Sequence, residues 1–217
     1  MQILLDSAET DEIATWIGQG VCAGVTTNPV LLRRQGLADV VAFVQTVSPL
    51  LRGGPLHLQL DTRSPIQAVT DEAAAIAAVY DQVVFKVPIV RSDGTAHLNV
   101  ISTLRERGYV VNATACFTSV QTTLACEAGA TYASVLIGRI RDEGRSPGRV
   151  IKKAAQARPT LKIVAASLRG PADLALALHS KASVVTCPPD VLRKAIDHKY
   201  SRHTAREFEE AIDAPID

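Results

Sequence analysis

Val83-Val84-Phe85-Lys86-Val87-Pro88 reads as a short buried strand with one charge near its far end. Three apolar residues lead into Lys86, and Pro88 closes the run. A lysine at such a place has two uses. It can snorkel, laying its stem on apolar surface and its charge in water. It can also be a buried amine kept neutral for attack on a carbonyl. An apolar site, or a second cation, lowers an ammonium pKa by several units from its ordinary ~10.4. The neighbours of this strand decide between the two.

The strand is one of a series. Short β-branched runs at 2–6, 21–25, 56–60, 83–88, 109–112, 131–137, 161–165 and 183–186 read as strands, and a helical pattern follows each. The runs show little strict alternation, as parallel strands buried on both faces should. Repeated βαβ units of this kind close most economically into a (β/α)8 barrel, the TIM-barrel fold. At 217 residues the chain is short for that fold, which typically takes about 250, so lean loops are expected. An open doubly wound sheet is the competing architecture. Against it, Asp6-Ser7-Ala8-Glu9 follows the first strand where that fold carries a glycine-rich phosphate loop. One domain is expected over 1–217, with a surplus helix at about 203–213 that covers a barrel opening or reaches a neighbouring subunit.

The totals exclude several classes. A formal net charge of +1, with no aromatic ladder beside the arginines of 139–149, points to neither nucleic acid nor an anionic membrane. No segment has the ~20 apolar residues of a membrane span, and no signal peptide is expected at the N-terminus. The four cysteines, Cys22, Cys116, Cys126 and Cys187, lie far apart and read as buried free thiols of a cytoplasmic protein.

Polar residues gather at the strand ends. The first strand ends in Asp6, and the second leads to Thr26, Thr27 and Asn28. The third carries Gln59, the fourth Lys86, and the fifth Asn112 and Thr114. The sixth carries Ser134 and Arg139, and the seventh leads to Ser167 and Arg169. Each has an ordinary explanation alone, Asp6 as a helix cap or Asn28 as a turn residue. In a barrel, however, these ends converge on one face, where active sites sit. The inventory is one amine and one carboxylate among amides and hydroxyls. His57 is expected to point away from Gln59, which leaves no histidine cluster for a metal. An amine of this kind converts a ketone to an iminium, which draws electrons from an adjacent carbon–carbon bond. The carboxylate takes the proton of a neighbouring hydroxyl. Arg139, Ser167 and Arg169 suit a phosphate.

The chain resembles the small transaldolase family, which includes fructose-6-phosphate aldolase, along essentially its whole length. The resemblance rests on Leu5-Asp6, Gly24-Val25-Thr26-Thr27-Asn28-Pro29, Val84-Phe85-Lys86-Val87-Pro88, Asn112-Ala113-Thr114, Gly138-Arg139 and Ala165-Ala166-Ser167. It implies a metal-free, cofactor-free transfer of a dihydroxyacetone unit between sugar phosphates. Lys86 is then the Schiff-base lysine and Asp6 the acid/base. Asn28 and Asn112 hold donor hydroxyls, Thr114 and Gln59 manage water, Ser134 lines the site, and Arg139, Ser167 and Arg169 bind phosphate. It also implies a homo-oligomer, in small members a decamer in which the last helix reaches across subunits. Two positions depart from the pattern. Gln59 stands where transaldolases have Glu, and agrees with the aldolase. Leu136 stands where transaldolases have Phe and the aldolase has Tyr. An aldolase using free dihydroxyacetone is therefore the alternative activity, and a non-catalytic barrel that binds sugar phosphates is the alternative class.

Overall fold

A computed structural model of the chain describes residues 1–214. Eight parallel strands close into a barrel in sequence order. They are β1 Gln2–Asp6, β2 Val25–Thr26, β3 Leu56–Gln59, β4 Val83–Pro88, β5 Val110–Cys116, β6 Tyr132–Leu136, β7 Lys162–Ala166 and β8 Val184–Cys187. Around them run α1 Thr10–Gly18, α2 Pro29–Arg34, α3 Val40–Val47, α4 Ile66–Val79, α5 Leu98–Glu106, α6 Ser119–Glu127, α7 Ile137–Asp142, α8 Pro147–Ala157, α9 Pro171–His179, α10 Pro189–Ile196 and α11 Lys199–Asp213. This is the (β/α)8 barrel that the strand pattern predicts. Among the described residues, no helix is long and apolar enough to cross a membrane.

Several boundaries differ from the pattern, each for a local reason. The second strand shrinks to Val25–Thr26. The chain before it meets the β3 entry backbone to backbone: a Cβ on Gly24 would lie 2.3 Å from the Pro55 carbonyl oxygen. The sixth strand ends at Leu136, and Ile137 opens a helix, so Arg139 sits on α7 rather than at a strand end. The Ile-Gly-Arg-Ile run looks like a strand continuing because both of its isoleucines are buried. The fifth helix starts at Leu98, since Val90 and Ala96 first pair in an antiparallel bridge. The last helix starts at Lys199 and not near 203, where the His198 ring accepts the Tyr200 N–H at 3.3 Å. No residue of α11 is buried, and Tyr200, Phe208 and Ile212 are 63, 65 and 81% exposed.

The barrel interior is built in layers. Alternate strand residues face inward. Leu4, Val84, Tyr132, Val164 and Val184 form an apolar cluster of their own, separate from the larger core under the helices. Two residues further along the same strands stand Asp6, Lys86, Ser134, Ala166 and Thr186, which all line one cavity. The apolar layer is the floor and the polar layer above it is the site. His57 belongs to the floor. Its ring packs edge-on against Tyr132 at 4.9 Å, and its Nδ1 faces the Asn112 amide at 3.0 Å. The expectation that His57 points away from Gln59 is therefore wrong. Residues two apart on a strand share a face.

Candidate active site

Lys86 is buried at the end of β4, flanked in register by Gln59 on β3 and Asn112 on β5. Its Nζ donates to the Thr27 backbone carbonyl at 2.7 Å. Burial pushes the ammonium pKa below its ordinary value, and the Asp6 charge opposes that with a smaller effect. For Asp6 the signs reverse. Burial raises its pKa, while Lys86 and the Thr26 hydroxyl hold it down. The two groups thus share one low-dielectric site, each favouring the other's charge and each penalised for its own.

Two hydrogen-bond chains frame this pair. In the first, Thr26 Oγ1 donates to Asp6 Oδ1 at 2.8 Å and lies 2.5 Å from Thr186 Oγ1. Thr26 has one hydroxyl proton and gives it to Asp6, so Thr186 is the donor in the second contact. In the other, Ser134 Oγ donates to Asn112 Oδ1 at 2.9 Å, and Asn112 Nδ2 lies 3.0 Å from His57 Nδ1. Burial, helped by Lys86 and Lys162, lowers the His57 pKa to about 3. The imidazole is neutral at ordinary pH, so its Nδ1 accepts from the amide. The Asn112 orientation is thereby determined from both sides.

The backbone around the cavity is bent to fit. Asn28 is extended and caps α2, its side-chain oxygen accepting from Val30 and Leu31 at 3.0 and 3.1 Å. Its amide nitrogen is left for the cavity that Asn28 also lines. Ala115 and Ser167 both line the cavity and both adopt left-handed backbone, φ 57° and 62°. Ala115 lies within the register shift of β5 between Ala113 and Cys116. A Cβ on Gly138 would sit 2.7 Å from the Ser167 carbonyl oxygen, so a bare residue there lets α7 approach the end of β7. That approach sets Arg139 and Ser167 on one wall. The cavity measures about 530 Å³. A larger one of about 950 Å³ adjoins it across Pro29, Gln59 and Pro88, but holds neither Lys86 nor Asp6.

A family model described as Transaldolase/Fructose-6-phosphate aldolase matches residues 3–217. The chain belongs to this family. It is 36% identical over 202 residues to a probable transaldolase of Roseiflexus sp. (strain RS-1), covering 91% of this chain and 90% of the relative. A probable transaldolase of Roseiflexus castenholzii is 34% identical with the same coverage. Among solved structures, one described as native KDPGal superposes with a TM-score of 0.60, covering 99% of this chain and 100% of that one. A mandelate oxidase superposes at 0.61, covering 87% and 64%. Both are 14% identical and bear on the fold alone.

In this member of the transaldolase/aldolase family, most of the residues singled out from sequence line the cavity that holds Lys86 and Asp6. Asp6, Thr26, Asn28, Gln59, Lys86, Thr114, Ser134, Leu136, Arg139 and Ser167 do so. Three do not. Asn112 lies wholly buried behind Ser134. Thr27 contributes its carbonyl to Lys86, while its own hydroxyl is buried without a partner. Arg169 is held away in a two-pronged pair with Asp142, 2.7 and 2.5 Å, and its backbone N–H goes to Asp173 at 2.8 Å. Sequence reasoning missed Thr186, Phe117 and Arg34, which also line the cavity. Thr186 was legible: it lies in a strand, two residues beyond Val184 on the inward face. Arg34 was not, because only the path of α2 brings it over the cavity.

Proposed function

We propose that the chain is a Schiff-base enzyme that transfers a dihydroxyacetone unit from a ketose phosphate to an aldose phosphate. The observation that carries this reading is the buried Lys86 amine beside Asp6 in the layer above the apolar floor, both lining one cavity. The amine adds to the ketone carbon and water leaves, giving an iminium. Asp6 takes the proton of the C4 hydroxyl, the C3–C4 bond breaks, and its electrons enter the iminium. An aldose phosphate departs and a dihydroxyacetone enamine stays on Lys86. A second aldose phosphate adds to that enamine, Asp6 returns the proton, and water hydrolyses the new iminium. Gln59 and Thr114 position the water, Asn28 and the Asn112–Ser134 pair hold donor hydroxyls, and Arg139 with Ser167 receives the phosphate. Arg169 joins them once Asp142 releases it. A cytoplasmic site of action goes with this reading as part of the proposal, and the bare apolar side chains of α11 fit assembly with further copies of the chain.

The test is intact mass after incubation with fructose 6-phosphate and borohydride. The expected gain is one reduced dihydroxyacetone unit, and an aldose phosphate added before the reductant should clear it. Clearance only by slow loss of free dihydroxyacetone would favour the aldolase reading, for which Gln59 speaks. The neutral amide of Gln59 orients water but cannot deprotonate it. An absence of adduct with every ketose tried would leave a binding barrel.

Leu136 sets the acceptor. It lines the cavity where a ring is usual, and Phe117 supplies the aromatic wall instead. Leu136→Phe should lower kcat/KM for long acceptors by about tenfold relative to short ones. Equal changes across acceptors of different length would remove Leu136 from the specificity determinants.

A further inference from the structure

A buried polar chain runs beneath the reacting groups. His57 on β3 pairs in register with Val84, and Asn112 on β5 pairs with Lys86. The contact between them, 3.0 Å from Nδ1 to Nδ2, therefore spans β4 between the level of Val84 and that of Lys86. From Asn112 the chain passes to β6, where Ser134 Oγ donates to Asn112 Oδ1 at 2.9 Å. His57 and Asn112 are buried, and neither lines the cavity. Ser134 does line it, and is the end of the chain that meets a substrate.

The chain is anchored at its buried end. The His57 ring stands edge-on to Tyr132, 74° between the planes. Its backbone carbonyl accepts the Thr27 N–H at 3.0 Å, and the Thr27 carbonyl in turn accepts from Lys86 Nζ. Burial and two nearby lysines keep the imidazole neutral. A neutral imidazole has one N–H, and with the Asn112 amide hydrogens aimed at Nδ1 that proton sits on Nε2. Asn112 then turns its oxygen to Ser134, and Ser134 spends its single proton there. The lone pairs of Ser134 Oγ are what remains for the cavity.

From this arrangement we infer that His57 is a positioning residue: acting through Asn112, it makes Ser134 Oγ an acceptor for the C1 hydroxyl of the ketose donor. The inference rests on the reading of Lys86 as the imine-forming residue. Round the barrel from Lys86, β3, β2 and β1 lead one way to Asp6, and β5 and β6 lead the other way to Asn112 and Ser134. With the ketone carbon at Lys86 and the C4 hydroxyl at Asp6, C1 falls on the β5–β6 side. A C1 hydroxyl satisfies Ser134. A C1 methyl leaves its lone pairs unmet, and a site built for a hydroxyl discriminates against such an analogue.

The experiment compares fructose 6-phosphate with 1-deoxyfructose 6-phosphate in the wild-type chain, S134A, H57L and H57N. In the wild type, kcat/KM should favour the hydroxylated donor by about tenfold. H57L fills the space but offers Asn112 no acceptor. It should shrink the ratio toward that of S134A, lowering kcat/KM for fructose 6-phosphate far more than for the deoxy donor. H57N carries an amide oxygen near the place of Nδ1 and should restore most of the ratio. Equal losses on both donors in H57L and H57N would make His57 a packing residue only. Nitrogen NMR of histidine-labelled wild-type protein reads the chain without turnover. The His57 signals, identified among the five histidines by their loss in H57N, should show the proton on Nε2 and none on Nδ1. A proton on Nδ1 would reverse the chain, make Ser134 a donor and overturn the inference even with activity intact. If the proton is on Nε2 but fructose 6-phosphate leaves no borohydride adduct on Lys86, the covalent reading falls, and the C1 assignment with it.

Discussion

Lys86→Met should lower kcat/KM for a ketose phosphate by about four orders of magnitude and abolish the borohydride-trapped adduct. Methionine keeps the length and apolar stem of lysine, so the interior around β4 stays filled. What it lacks is the nucleophile. The pH dependence carries a further sign. Only the free amine attacks a carbonyl, and burial lowers the Lys86 pKa while Asp6 restores part of it. The free amine is therefore present at lower pH than on an exposed lysine. Wild-type trapping should rise with pH and level off before the ordinary lysine range of about 10.4. Residual turnover above about one part in a hundred in the methionine variant, or trapping that rises only near pH 10, would remove Lys86 from the mechanism.

Asp6→Asn should lower kcat by about 10²- to 10⁴-fold and leave the first imine intact. The amide oxygen of asparagine still accepts from Thr26, so the Thr186–Thr26 chain keeps its direction. The base for the C4 hydroxyl is gone, so C–C cleavage has no proton acceptor and its reversal has no proton donor. The substitution also removes the negative charge that raises the Lys86 pKa. Imine formation in D6N should accordingly extend to lower pH than in the wild type. The informative readout is the mass of the trapped species. In the variant it should be the whole ketose phosphate rather than the three-carbon fragment. A three-carbon adduct forming at the wild-type rate would mean that another group takes the proton.

The barrel was legible because its strands are short, β-branched and regularly spaced, and each is followed by a helix. The polar layer was legible because it falls at strand ends. Asp6 and Lys86 stand out as single charges closing apolar runs. What escaped depends on distances that sequence does not display. The pair that draws Arg169 aside joins residues 27 positions apart. Arg34 reaches the cavity through the course of a six-residue helix. The start of α7 was hidden because Ile137 and Ile140 are as buried in a helix as they would be in a strand. His57 was misplaced by a parity error, and the register of β3 with β4 corrects it. Its role beneath Asn112 follows only from the contact across the barrel.

The apolar floor under the site governs traffic. Leu4, Val84, Tyr132, Val164 and Val184 fill the barrel below Lys86 and Asp6, so on the proposed mechanism sugars reach the site from the strand-end mouth and not through the barrel. The aldehyde that leaves and the aldehyde that enters must use that mouth in turn. With the covalent mechanism proposed above, turnover should then be a double displacement in which the carbon fragment waits on the protein between visitors. On that mechanism a surplus of either sugar phosphate should block the turn of the other, and steady-state rates should fall when one substrate is in large excess.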